Sequence, residues 1–191
     1  VRTLITYIKN MMLTENEILE LDEKVELKIS VIYKEYCRQL RAKGLMDYDD
    51  QMVYAYTMLR SVPELLKHFQ ELYPYICVDE AQDTSKIQHA IIALLASGTE
   101  NLFMVGDEDQ SIYGFRAAYP EALLKFEKNY PNAKVLLMEE NFRSDARIVL
   151  AADRFIQRNT LRHEKHMKAT RKPASDIREI ALRNRKAQYT Y

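Results

Sequence analysis

The sequence predicts an α/β fold, in which a parallel sheet with flanking helices is preceded by a helical segment. Three observations carry this. Short apolar runs occupy residues 75–78, 101–105 and 134–138; longer amphipathic stretches separate them; and helical periodicity dominates residues 1–45. Each apolar run is of the kind required by a sheet covered on both faces.

Taken in order, the first element signal is Thr14-Glu15-Asn16-Glu17, an S/T-x-x-E capping box that opens a helix. Beyond it Val25, Ile29, Ile32, Tyr36 and Leu40 fall on one apolar stripe, predicting a helix that Gly44 ends. Helices are expected between the strands at 85–97 and 120–129. A further helix at 145–158, with Ser144 as its N-cap, places Ile148, Ala151, Ala152, Phe155 and Ile156 on one face. Residues 159–173 are polar and basic and read as a linker, after which 177–182 look like a strand. There is no internal repeat.

The chain has 191 residues, 47% of them hydrophobic, enough for a core of one good-sized domain or of one domain plus part of another. Formal net charge is zero, so bulk charge points to no partner. Its distribution is uneven. From Arg154 to the end there are eleven Lys/Arg against three Asp/Glu, leaving seventeen against twenty-five before it. The basic run Arg158, Arg162, Lys165, Lys168, Arg171 and Lys172 reads as a solvated linker, with neutralisation of DNA phosphates as the alternative. Cys37 and Cys77 have neither metal-ligand nor redox-motif spacing and are expected to be reduced, buried thiols. No apolar run approaches the roughly 20 residues of a membrane span, so a cytoplasmic protein without a membrane partner is expected. The start at Val1 and the end at Tyr191 suggest that the chain is an internal piece of a longer one.

The chemistry concentrates after the predicted strands. Ile76-Cys77-Val78 delivers the adjacent carboxylates Asp79 and Glu80, followed by Ala81-Gln82-Asp83-Thr84-Ser85. Ligands of open α/β sheets sit off the carboxyl ends of strands. There, one carboxylate can hold Mg²⁺ through its water shell while its neighbour orients or deprotonates water. A bare Asp-Glu could instead be a solvated loop opening the next helix, with Asp83 or Thr84 as its N-cap. The next strand runs into Gly106-Asp107-Glu108-Asp109-Gln110-Ser111-Ile112-Tyr113-Gly114-Phe115-Arg116, and Glu139-Glu140-Asn141-Phe142-Arg143-Ser144 comes later.

These three stretches, in this order, are similar to consecutive motifs of UvrD/Rep-type superfamily 1 ATP-dependent DNA helicases. Met46-Asp47-Tyr48-Asp49-Asp50 and Val62-Pro63-Glu64 extend the resemblance upstream to about residue 46. The resemblance implies a partial RecA-like parallel sheet, with ATP and Mg²⁺ as cofactors and single-stranded or partially duplex DNA as partner. It implies that residues 1–45 end a helical insertion subdomain and that 46–158 are the later part of a first RecA-like ATPase domain. Residues 159–191 would then be a basic linker and the start of a second RecA-like domain. By the same resemblance, Asp79 is the metal-associated, cofactor-binding carboxylate and Glu80 a metal-side residue that activates water. Gln110 resembles the γ-phosphate sensor and Arg143 the arginine that reaches the γ-phosphate, while Phe142 packs by the nucleotide. Tyr113 and Phe115 resemble the pair on which bases stack, with Arg116 a neighbouring DNA or nucleotide contact.

The sequence departs from the family pattern in three places. Phe115 stands where Trp is frequent, Ala117 where Gly is frequent, and Phe142 where Tyr is more usual. No Gly-x-x-x-x-Gly-Lys-Ser/Thr occurs, the four glycines being Gly44, Gly98, Gly106 and Gly114. The expected parent is a 3′ to 5′ helicase, and the piece alone is expected to be inactive and to self-associate through an exposed sheet edge. The alternative is a non-catalytic relative that binds nucleic acid or a partner protein.

Overall fold

The computed structural model describes residues 1–112, 114, 117–174 and 176–190, in two compact units, Val1–Ala133 and Lys134 onward. The first unit opens with α1 (Arg2–Asn10), α2 (Glu15–Val25) and α3 (Ile29–Ala42). The capping box forms as expected: the Thr14 amide donates to Glu17 Oε2 at 2.7 Å and the Glu17 amide to Thr14 Oγ1 at 3.4 Å. Ile5, Ile8, Ile18 and Ile29 are buried together, with Leu13, Leu21, Val25, Ile32, Tyr33 and Tyr36 packed against them.

The stripe from Val25 to Leu40 is not carried by one helix. The chain reverses at Glu26, whose φ of 52° is left-handed, and Asp22 caps the new start. Its carboxylate accepts the Ser30 amide at 2.8 Å and the Ser30 hydroxyl at 2.5 Å, and these bonds hold it below its ordinary pKa. Gly44, at φ 63°, follows the end of α3 as expected.

α4 (Tyr48–Ser61) is fixed at its first turn. Asp47 and Asp50 form a reciprocal capping box, and both carboxylates lie 2.7 Å from Nζ of Lys9 on α1. Lys9 is buried, and its ammonium also sits 5.2 Å from the centre of the Tyr36 ring. The Tyr36 hydroxyl donates to Asp47 at 2.7 Å, while Thr6 and Asn10 donate to Asp49 at 2.8 and 2.7 Å. Burial pushes the Lys9 pKa down, but the two carboxylates outweigh it and leave it raised. Burial likewise pushes the Asp47 carboxyl up, and its bonds to Lys9 and Tyr36 bring it below the ordinary value. Three helices are thereby tied at one point. α5 (Pro63–Leu72) follows, with Pro at its first position where a missing amide costs nothing.

The sheet of the first unit has two parallel strands, β1 (Ile76–Val78) and β2 (Leu102–Met104), with Ile76 opposite Leu102 and Val78 opposite Met104. Between them α6 (Lys86–Ala96) starts at Ser85, whose amide donates to Gln88 Oε1 at 2.8 Å, and packs on β1 and on α4. Alternation leaves Cys77 and Phe103 exposed on the other face. The expectation of a buried Cys77 thiol, in a sheet covered on both faces, is therefore corrected: among the described residues one face is open. The helix expected at 120–129 is interrupted at Lys125, giving α7 (Glu121–Leu124) and α8 (Phe126–Asn129).

The second unit corrects further expectations. Residues 134–138 form no strand, and Leu136 and Met138 are 82% and 83% exposed. An apolar run becomes a strand only where a neighbour supplies backbone partners. Here only β3 (Glu140–Asn141) finds one, pairing in parallel with β4 (Lys168–Ala169). Residues 177–182 lack such a neighbour among the described residues and form no strand either. α9 (Ala146–Ile156) is capped by Asp145, not Ser144, because the Asp145 carboxylate accepts the Arg147 amide at 2.8 Å. Val149 is its buried residue, whereas Ile148 and Phe155 of the expected face are exposed. Residues 159–173, read as a linker, carry hydrogen bonds to α9 and its end: the Met167 amide donates to Asp153 at 3.0 Å and the Gln157 side chain to the Lys165 carbonyl at 3.0 Å. α10 (Arg185–Thr190) ends the described chain.

Lys9→Met should destabilise the first unit by about 3 kcal/mol, because it leaves two half-buried carboxylates without their cation. Urea titrations of both proteins will measure this. The depressed Asp47 pKa means that its contribution is present above the unfolded value of about 4 and is lost as pH falls through the folded one. The wild-type midpoint should accordingly drop more steeply below about pH 4 than that of Lys9→Met.

Candidate active site

Beyond Val78 the backbone ladder continues for one more step on each strand. The Val105 amide donates to the Val78 carbonyl at 2.8 Å, and the Ala81 amide returns to the Val105 carbonyl at 2.9 Å. The loops at 79–83 and 106–110 are thus held side by side at the carboxyl ends of β1 and β2. Asp79 and Glu80 are both exposed there, with the Glu80 amide donating to Asp79 Oδ1 at 2.9 Å. Glu80 has φ 50°, a left-handed conformation that costs a non-glycine residue about 1 kcal/mol or more. The turn it makes leads into a 3-10 turn over Ala81–Asp83.

Gln82 in that turn is 2% exposed, and both ends of its amide are used. Nε2 donates to Glu80 Oε2 at 2.6 Å, and Oε1 accepts the Asp107 amide at 3.0 Å. Its backbone carbonyl accepts the Ser111 hydroxyl at 3.2 Å. Asp107 in turn accepts Gln110 Nε2 at 2.7 Å. One chain of hydrogen bonds therefore joins Glu80, Gln82, Asp107 and Gln110. An open recess of about 530 Å³ beside it is lined by Glu80, Gln82, Asp83, Asp109, Gln110 and Ile112. Asp83 Oδ1 is buried and has no hydrogen-bond partner.

The side chain after Gln82 and Asp83 is also fixed. Thr84 Oγ1 donates to the Ala81 carbonyl at 2.7 Å, so its contact of 2.5 Å with His89 is one in which Nε2–H donates. Burial lowers the His89 pKa, favouring that neutral ring.

The donor chemistry fits a hard dication. Asp79 and Glu80 offer carboxylate oxygens, and Mg²⁺ takes one or two of these together with water and phosphate oxygens. No cluster of three or more His, Cys, Asp or Glu among the described residues could hold a metal ion.

Phe142 and Arg143 belong to the second unit and follow β3. Asn141 Oδ1 accepts the Arg143 amide at 3.0 Å and the Ser144 amide at 2.9 Å, which turns the chain and leaves both side chains exposed. The Arg143 guanidinium has no ion-pair partner among the described residues. Tyr113, Phe115 and Arg116 lie outside the described residues. Next to them, Ala117 is buried at φ 63°, the left-handed region that favours glycine. The sequence reading gave Gln82 no role. Its only signal there was a polar residue inside a stretch that follows an apolar strand.

A family model describing the UvrD/REP helicase N-terminal domain matches residues 1–131. The chain belongs to the UvrD/Rep helicase family. It is similar to the ATP-dependent DNA helicase PcrA of Staphylococcus epidermidis, with 42% identity over 137 residues, covering 72% of this chain and 19% of that protein. PcrA of Staphylococcus aureus matches with the same identity and coverage. The chain thus spans about a fifth of the length of these curated UvrD/Rep relatives. No helix among its described residues is long and apolar enough to cross a membrane.

Gly106 is required for space, not for an unusual φ. A Cβ there would lie 2.8 Å from Leu123 Cδ1, 2.9 Å from Gln82 Oε1 and 3.3 Å from Ala81 Cβ. Gly106→Ala should therefore lower stability by about 1–3 kcal/mol, the usual cost of overpacking. Thermal and urea unfolding of the 191-residue chain will read it, and an unchanged midpoint would refute the packing argument.

Proposed function

We propose that this chain is the metal- and γ-phosphate-facing part of a RecA-like domain in an ATP-dependent helicase that translocates 3′ to 5′ on single-stranded DNA. The observation that carries the reading is the linkage of Glu80 to Gln110 through Gln82 and Asp107, at the ends of two adjacent parallel strands. Strand carboxyl ends are where α/β sheets receive their ligands. Family membership and the name of the PcrA relatives support ATP and DNA as those ligands.

Bound Mg²⁺–ATP supplies an electrophilic γ-phosphorus whose negative charge the dication partly neutralises. Asp79 would hold the dication through its water shell. Glu80, on the recess wall, orients the attacking water and accepts its proton. Gln110 is a neutral amide at the same recess, suited to hydrogen-bond a phosphate oxygen and that water together. Arg143 neutralises charge that develops on the transferring oxygens, since a guanidinium binds them bidentately. Phe142 packs by the nucleotide. Tyr113 and Phe115 stack bases of the single strand, with Arg116 beside them. In this reading residues 1–45 end a helical insertion, 46–158 belong to the first RecA-like domain, and 159–191 lead into a second.

The 191-residue chain alone contains no Walker-type phosphate-binding loop and should show no DNA-stimulated ATP turnover. Turnover above background that disappears in Glu80→Gln would overturn this.

In the full-length protein, Arg143→Ala should lower kcat for ATP by roughly 10³-fold or more while changing nucleotide and DNA binding little. Charge stabilised only in the transition state has that signature. Steady-state ATPase and equilibrium binding decide it, and near-normal turnover returns Arg143 to a surface charge. A full-length protein that binds DNA without hydrolysing ATP would instead be the non-catalytic relative.

A further inference from the structure

The geometry points to Gln82 as the positioning residue that holds Glu80 and the Asp107–Gln110 loop in one fixed relation. This rests on the functional reading given above for Glu80 and Gln110 and adds a residue to it. Glu80 and Gln110 follow different strands, and nothing in the short ladder of β1 and β2 fixes their side chains. Gln82 supplies what the ladder lacks. It is nearly inaccessible, at 2% exposure, and it lies between the two loops.

The orientation of its amide is set by its partners. A carboxylate can only accept, so the atom 2.6 Å from Glu80 Oε2 is the NH₂ group. A backbone N–H can only donate, so the atom 3.0 Å from the Asp107 nitrogen is the carbonyl oxygen. Both requirements are met by one orientation of one glutamine. Glutamate would put two carboxylates against each other at the Glu80 end. An apolar residue would leave the Asp107 amide without its acceptor and the Glu80 carboxylate without its anchor. One further contact holds Gln82 itself, the Ser111 hydroxyl on its carbonyl at 3.2 Å, and Gly106 leaves room for its amide, since an added Cβ would meet Oε1 at 2.9 Å.

Glu80 is otherwise exposed and sits on a left-handed turn, so its carboxylate is free to rotate unless something anchors one oxygen. Gln82 anchors Oε2 and leaves Oε1 for the reacting water. The same residue sets where Asp107 begins its turn, and Asp107 Oδ2 holds the Gln110 amide. A base and a sensor displaced by even 1 Å lose most of their effect, which for positioning groups is on the order of a hundred-fold in rate.

Two substitutions separate the two ends. Gln82→Met keeps the length and removes both hydrogen bonds, whereas Gln82→Glu keeps an acceptor for Asp107 and removes the donor to Glu80. In the full-length protein both should lower kcat by about ten- to a hundred-fold, with KM for ATP and DNA affinity changed by no more than about three-fold. In the 191-residue chain, amide exchange at Asp107 should accelerate about ten-fold in Gln82→Met, the loss of one net hydrogen bond, and stay protected in Gln82→Glu. The exchange measurement does not depend on activity. Unchanged Asp107 exchange in Gln82→Met, or near wild-type kcat in either variant, would overturn the assignment. A rise in KM that tracks loss of thermal stability, with kcat preserved, would reduce Gln82 to a packing residue and also overturn it. A wild-type protein without turnover, or an active Glu80→Gln, would instead sink the ATPase reading, and Asp107 exchange would still judge Gln82.

Discussion

The amides of Val105 and Ala81 carry the parallel pairing of β1 and β2 past the last strand residues, at 2.8 and 2.9 Å. Everything chemical in the first unit depends on that short extension. Without it, the loop bearing Asp79 and Glu80 and the loop bearing Asp107 and Gln110 would leave their strands independently. With it, their backbones are in register, and a single buried amide suffices to couple the side chains. The recess lies beside a rigid pair of backbones rather than between two free loops.

A second constraint acts away from the recess. Lys9, Asp47, Asp50 and Tyr36 join α1, α3 and the first turn of α4 at one buried point. Burying an ammonium is costly, and here it is offset by two carboxylates at 2.7 Å and an aromatic face. α4 then packs against α6, which leads back to β1. The helical part and the sheet of this unit are linked through α4, not merely adjacent in sequence.

What the sequence made legible was local. The Thr14 capping box, the Gly44 stop, the strands before Asp79 and Gly106, and the helix at α6 all rest on signals within a few residues, and all are present. What it misjudged was non-local. Residues 134–138 and 177–182 have strand-like composition but no backbone neighbour to pair with among the described residues. The Val25–Leu40 stripe kept its apolar logic, since Val25, Ile29 and Ile32 still meet in one cluster. Its continuity was broken by Asp22, whose cap on Ser30 no periodicity reveals. The site followed the same division. Asp79, Glu80 and Gln110 follow strands as the sequence placed them, while Gln82 stayed invisible because its partner Asp107 is brought to it only by the fold.

The missing side chain at Gly106 is a volume shared by three neighbours: Ala81 and Gln82 from one loop and Leu123 from α7. Such a volume does not belong to one position. A smaller residue at 123 would remove only the Leu123 contact, because a methyl group at 106 would still lie 2.9 Å from Gln82 Oε1, which cannot yield without losing its partners. Bulk at 106 is therefore limited by the buried amide even where its apolar neighbour gives way. Across diverging sequences, a residue larger than glycine at 106 should be tolerated only where the glutamine at 82 has itself been replaced.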